Sequence, residues 1–123
     1  MAKKILLIED EELLINLLQK KLTESGFSVF LARNGEEGLK LMRENMPDIV
    51  LLDIVMPKMG GFEVLEKMAK EDSLKKIPVI IISNSGQPVE IDRAKRLGVK
   101  DWLIKTEFDP EEVLEKVIAQ IGK

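Results

Sequence analysis

Four acidic residues in a row, Glu9-Asp10-Glu11-Glu12, follow directly on the apolar run Ile5-Leu6-Leu7-Ile8. Three more reactive side chains stand in the same relation to other apolar runs. Asp53 closes Ile49–Leu52, Ser83 closes Val79–Ile82, and Lys105 closes Trp102–Ile104. Carboxylates, a hydroxyl and an ammonium together suit phosphoryl transfer. A carboxylate can act as nucleophile and form an aspartyl phosphate. A magnesium ion needs a small set of carboxylates plus water, and it would neutralise oxygens of the incoming group. It would also offset the mutual repulsion of the clustered acids. The Lys105 ammonium would stabilise phosphate oxygens, and the Ser83 hydroxyl could donate a hydrogen bond to one of them. The chain has no histidine and no cysteine. Histidine bases, thiolate metal sites and disulfides are therefore excluded, and any metal must take oxygen ligands.

Taken singly, each of these residues has an ordinary reading. Acids after a strand suit the N-terminus of the next helix, and a lone Asp53 fits a turn. A lone Ser83 would satisfy backbone at a strand end, and a lone Lys105 would be a solvated lysine. The chemical reading rests on their joint placement, and so on the elements that carry them. Five short apolar runs read as strands: Lys4–Ile8, Ser28–Ala32, Ile49–Leu52, Val79–Ile82 and Trp102–Ile104. The first, third and fourth are nearly continuous Ile, Leu and Val, as strands covered on both faces require; the other two suit sheet edges.

Amphipathic stretches separate these runs. Leu13, Leu14, Leu17, Leu18 and Leu22 follow helical spacing up to Gly26, which is placed to end a helix. Asn34-Gly35-Glu36-Glu37 resembles a capping box, and Asp109-Pro110-Glu111-Glu112 adds proline at the first helical position. The succession predicts a single α/β domain over residues 1–123: a (βα)5, doubly wound, five-stranded parallel sheet with right-handed crossovers. An eight-stranded barrel needs roughly twice the chain. Parallel strands bring their carboxyl ends to one edge, where such sheets place their sites.

With 45% apolar and 33% charged residues, the chain can bury a core and keep a solvated surface. A net charge of −3 gives no electrostatic reason for direct nucleic-acid binding. No apolar run approaches the ~20 residues of a membrane span, and the N-terminus lacks the apolar stretch and cleavage site of a signal peptide. A cytoplasmic protein without membrane insertion is expected.

Four stretches of the chain, in order, carry a specific resemblance: Lys4-Ile5-Leu6-Leu7-Ile8-Glu9-Asp10-Glu11, Pro47 to Gly61 around Asp53, Pro78 to Ser83, and Asp101-Trp102-Leu103-Ile104-Lys105. The chain resembles the receiver domain of two-component response regulators, of the stand-alone chemotaxis type, over nearly its whole length. The resemblance implies a flavodoxin-like strand order 2-1-3-4-5 and a magnesium-dependent phosphoacceptor at Asp53. It implies metal ligands from Asp10, Asp53 and the Val55 carbonyl, with Glu9 acting mainly through a coordinated water. Ser83 and Lys105 would contact the phosphoryl group, and Ser83 with Trp102 would form the switch. The implied partners are a sensor histidine kinase or histidine phosphotransfer protein upstream and an unidentified protein downstream. No enzyme activity is implied beyond the domain's own phosphorylation and dephosphorylation.

Departures from the family pattern are few and bear on signal transmission more than on phosphorylation. Glu9 stands where aspartate is common, Asn84 where a small residue is common, and Trp102 where tyrosine or phenylalanine is usual. Thr106 follows Lys105 where the family usually has proline after a cis peptide. A cis bond before threonine costs about 3–4 kcal/mol, so a trans bond is expected.

Three rival readings fit less well. A flavodoxin-like nucleotide binder would need a phosphate-cradling loop where this chain has four carboxylates, and no G-x-G-x-x-G or Walker motif is present. An aspartate-dependent phosphatase would carry a second carboxylate two residues after its nucleophile, where this chain has Val55. A phosphorylation-independent pseudo-receiver would be expected to lose the acid pair, the acceptor or the lysine, and all are present. Lys123 follows the fifth amphipathic stretch directly, so output is expected through a partner, or the chain is a domain of a longer protein.

Overall fold

The computed structural model describes residues 2–123. Strands β1 (Lys4–Ile8), β2 (Ser28–Ala32), β3 (Ile49–Asp53), β4 (Val79–Ser83) and β5 (Asp101–Ile104) alternate with helices α1 (Glu12–Glu24), α2 (Gly35–Asn45), α3 (Gly61–Ala69), α4 (Pro88–Arg96) and α5 (Pro110–Ile121). All four strand pairings are parallel, and the order across the sheet is β2-β1-β3-β4-β5. The less uniform strands, β2 and β5, are the edges, as their composition predicts.

The continuous apolar runs follow from a sheet buried on both faces. Ile5, Leu7, Ile49, Leu51, Ile80 and Ile82 join one core with Leu14, Leu18 and Leu22 of α1 and Val113, Leu114 and Val117 of α5. Their sequence neighbours Leu6, Ile8, Val50, Leu52, Val79 and Ile81 point the other way, to Leu39 and Met42 of α2 and Val64, Leu65 and Met68 of α3. Alternation with period two divides each run between two cores, so every position must be apolar.

The helical punctuation forms with one difference. The Asn34 side chain accepts from the Glu37 N–H at 2.9 Å, but the Glu37 carboxylate accepts from the Arg33 N–H at 3.2 Å, one residue before the reciprocal capping-box partner. Asp109 accepts from the Glu112 N–H at 2.9 Å. Gly26 adopts φ +97, beyond the end of α1, where a side chain would be strained. Of the five leucines read at helical spacing, Leu14, Leu18 and Leu22 face the core, whereas Leu13 and Leu17 face solvent.

Strands β3 and β4 each run one residue further than their apolar segments. Asp53 pairs with Ile82, and Ser83 with Ile104, so both side chains leave from hydrogen-bonded backbone.

Candidate functional site

Register places the ends of β1, β3, β4 and β5 on one edge, and the side chains that leave them converge. The Lys105 ammonium lies 3.2 Å from Asp53 Oδ2 and 3.0 Å from Glu9 Oε2. Asp53 and Glu9 are buried, and the Lys105 side chain is nearly so. Three residues 44 or more positions apart in the chain thus form one charged cluster below the surface.

Backbone fixes the two acids. Asp53 Oδ1 accepts from the Ile54 N–H at 2.8 Å. Glu9 Oε2 accepts from the N–H groups of Asp10 (3.1 Å) and Glu11 (3.0 Å), the turn that opens α1. Glu9 Oε1, by contrast, is buried with no hydrogen-bond partner. A buried carboxylate oxygen without a donor is costly, and its natural complement is a cation.

The donor set around that oxygen fits a hard metal ion. Glu9, Asp10 and Asp53 can each present one carboxylate oxygen within 4.8 Å of the others. Asp10 is exposed, which leaves the group open to water on one side. Oxygen donors with room for water suit magnesium rather than a soft metal.

Burial and charge shift the titrations here. Burial first, and then the Asp53 charge, push Glu9 up to about 7. Burial also raises Asp53, against the opposing effect of Lys105. For Lys105, burial acts downward, but the hydrogen bonds and charges of Glu9 and Asp53 outweigh it and leave the ammonium held above its ordinary value. The cluster therefore carries one firm positive charge between two acids that resist ionising together.

The other sequence-predicted residues lie around this centre. The Val55 side chain stands exposed beside the acceptor position. Ser83 is buried, its Oγ accepting from the Ser85 N–H at 3.4 Å, and it makes no hydrogen bond to the acid–lysine cluster among the described residues. Trp102 is half-buried, and among the described residues its indole makes no hydrogen bond to Glu9, Asp10 or Asp53. Its Nε1 donates to the Ser85 carbonyl at 2.9 Å, and its ring packs at 6.4 Å from Phe62, itself covered by Arg93 at 4.3 Å. Ser83 and Trp102 thus meet at one residue of the loop after β4, Ser85, the first at its N–H and the second at its carbonyl. The Lys105–Thr106 bond is trans, as the threonine predicts.

One contact was not read from the sequence as part of the site. Glu11 Oε2 lies 3.4 Å from the Lys105 ammonium. Its signal was the length of the acidic run, which has more members than a metal needs.

Residues 5–118 match the family model described as the response regulator receiver domain. The chain belongs to that family. Protein PilH of Pseudomonas aeruginosa is 35% identical over 97% of this chain and 98% of its own length. The phosphorylated cyanobacterial phytochrome response regulator RcpA superposes with a TM-score of 0.82 at 30% identity, covering 97% of this chain and 91% of the other. The receiver domain of the Pseudomonas aeruginosa sensor histidine kinase PA1611, solved with magnesium coordinated in its active-site cleft, shares the fold. Its TM-score is 0.88 at 20% identity over the full length of both chains. Against several other curated relatives, transcriptional regulators, this receiver spans only about half the length.

Proposed function

We propose that this receiver domain accepts a phosphoryl group on Asp53 in a magnesium-dependent phosphorelay step. The carrying observation is the buried Asp53 carboxylate held between the Lys105 ammonium and two further acids, one with an orphaned oxygen. Glu9, Asp10 and Asp53, with the Val55 carbonyl, would hold the magnesium ion, which supplies charge neutralisation for phosphoryl oxygens. Lys105 orients and stabilises the same oxygens from the side of β5. An Asp53 oxygen attacks phosphorus, and the bond from phosphorus to the donor atom breaks, its electron pair leaving with the donor. No general base is required, because the nucleophile is already a carboxylate.

The donor in a phosphorelay is a phosphohistidine of a sensor kinase or a phosphotransfer protein. These 123 residues contain no histidine, so the phosphohistidine lies outside them. We assign the downstream step to recruitment of a protein partner rather than to turnover of external substrates or contact with nucleic acid. No helix of the described residues is long and apolar enough to cross a membrane, and a cytoplasmic site of action fits that. The intact acid pair, acceptor and lysine favour phosphorylation over a pseudo-receiver role.

The test is labelling with magnesium and acetyl phosphate, read by intact mass. One acid-labile, hydroxylamine-sensitive phosphoryl group is expected, lost in Asp53→Asn and on chelation. Equal labelling of the two proteins would refute the assignment.

A further inference from the structure

The acidic run holds more carboxylates than the candidate metal set uses. Glu9 and Asp10 belong to that set. Glu12 is bound by Arg33 at the end of β2, at 2.5 Å. Glu11 remains, and its placement is particular. It occupies the N-cap of α1, where a side chain commonly accepts a backbone hydrogen bond, yet it makes no such bond. Its carboxylate turns instead to Lys105, 3.4 Å away across the mouth of the site. The Lys105 side chain is 8% exposed and that of Glu11 52%, so the acid lies on the solvent side of the ammonium.

We propose that Glu11 is a positioning residue that gates Lys105, holding the ammonium from the solvent side and imposing a charge barrier on anionic phosphodonors. This inference rests on the phosphoacceptor reading of Asp53. Two physical effects act in the same direction. The ammonium must engage phosphoryl oxygens during transfer, and each contact with Glu11 competes with that engagement. The carboxylate also repels the donor as it nears Asp53, more strongly for a dianion than for a monoanion. Neither effect touches the reacting atoms, so Glu11 acts through Lys105 and through the local potential.

Acetyl phosphate and phosphoramidate separate these statements, because both deliver the same phosphoryl group to the same oxygen. With acetyl phosphate, the phosphorus–oxygen bond breaks and acetate leaves with the electron pair. With phosphoramidate, the phosphorus–nitrogen bond breaks and ammonia leaves with its proton already in place. Acetyl phosphate is dianionic at neutral pH, and phosphoramidate carries a net single negative charge. Glu11→Gln keeps the size and removes the charge at a position with no capping bond to lose.

The experiment measures initial labelling rates of the full chain with each donor, at low and at high salt, for the unaltered protein and Glu11→Gln. At low salt the substitution should raise the acetyl phosphate rate by about fivefold and the phosphoramidate rate by about twofold. At ~1 M salt, where screening acts within a few ångströms, the difference between donors should close. A structural role alone would change both donors equally and show no salt dependence. Unchanged rates, or equal changes with both donors, would overturn the gate while leaving the acceptor in place. Absence of label on Asp53 in the unaltered protein would overturn the acceptor reading and this inference with it.

Discussion

Glu9 has a buried oxygen without a partner and a carboxyl raised to about 7, first by burial and then by the Asp53 charge. Its unfolded value lies near the ordinary 4.5, so between about pH 4.5 and about pH 7 the folded protein binds the proton that the unfolded chain has lost. Stability contributed by the protonated form is thus fully present below about 4.5 and lost as pH rises through about 7. This is the reverse of a salt-bridged carboxylate. In chelator, thermal unfolding should show a lower Tm at about pH 8 than at about pH 5.5, and Glu9→Gln should flatten that difference, worth about 2 kcal/mol. A Glu9→Gln curve parallel to that of the unaltered protein would show that Glu9 ionises freely in the folded state. Lys105 has the same sign with a different window. Its raised value stabilises the fold below the ordinary lysine range and is lost only at strongly alkaline pH.

Two of the loops at this edge of the sheet, those after β3 and β4, are each anchored to a neighbouring element. The acceptor loop after β3 is tied to α2, because the Gly35 N–H donates to the Met59 carbonyl at 3.1 Å. A Cβ on Gly35 would sit 2.4 Å from that carbonyl oxygen and 2.7 Å from Val64 Cγ2. Gly35→Val should therefore push the loop away from α2, cost about 1–3 kcal/mol and slow Asp53 labelling. Urea unfolding with initial labelling rates would check this; a destabilised protein with normal labelling would mean that the loop adapts.

The loop after β4 is held by Trp102, whose Nε1 donates to the Ser85 carbonyl. Gly86 lets this loop lie close to two isoleucines, since a Cβ there would sit 3.0 Å from Ile104 Cδ1 and 3.3 Å from Ile91 Cδ1. If Ser83 moves toward a phosphoryl group, it carries this loop and disturbs the indole bond. Beryllofluoride with magnesium should therefore shift the emission or acrylamide quenching of Trp102, the sole tryptophan. Ser83→Ala should blunt the response and leave Asp53 able to accept phosphate. An unchanged signal at saturating mimic would mean that the indole stays against Phe62 and Ser85 in both states.

At the scale of the molecule, a sheet packed on both faces presents a dense group of acids at one edge. In the proposed reading magnesium would bind only the folded arrangement, because only the fold brings Glu9, Asp10 and Asp53 together. Binding to the folded state alone stabilises it by mass action, so ~10 mM magnesium against an affinity of about millimolar adds ~1.4 kcal/mol. Thermal unfolding should rise by a few degrees with magnesium, and Asp10→Ala should remove most of the rise. An equal rise in Asp10→Ala would place the ion elsewhere.

The element order, the edge strands and the polar residues that close the strands were legible in the residues themselves. Period-two burial on two faces forces continuous Ile, Leu and Val, and caps such as Asn34 and Asp109 act on their own next turn. These are local consequences of side-chain type. Leu13 and Leu17 share the helical spacing of Leu14 and Leu18, and only packing against α5 and the sheet decided which pair faces the core. The partnerships of Lys105 with Glu9, Glu11 and Asp53 span 96, 94 and 52 positions, and no local rule assigns them. Neither does any local rule leave Glu9 Oε1 without a donor or set the Trp102 indole on Ser85 rather than on the acids. Residue types determined which charges would be present at the sheet edge; their distances and burial, and so their pKa values, were decided by the register of strands far apart in the chain.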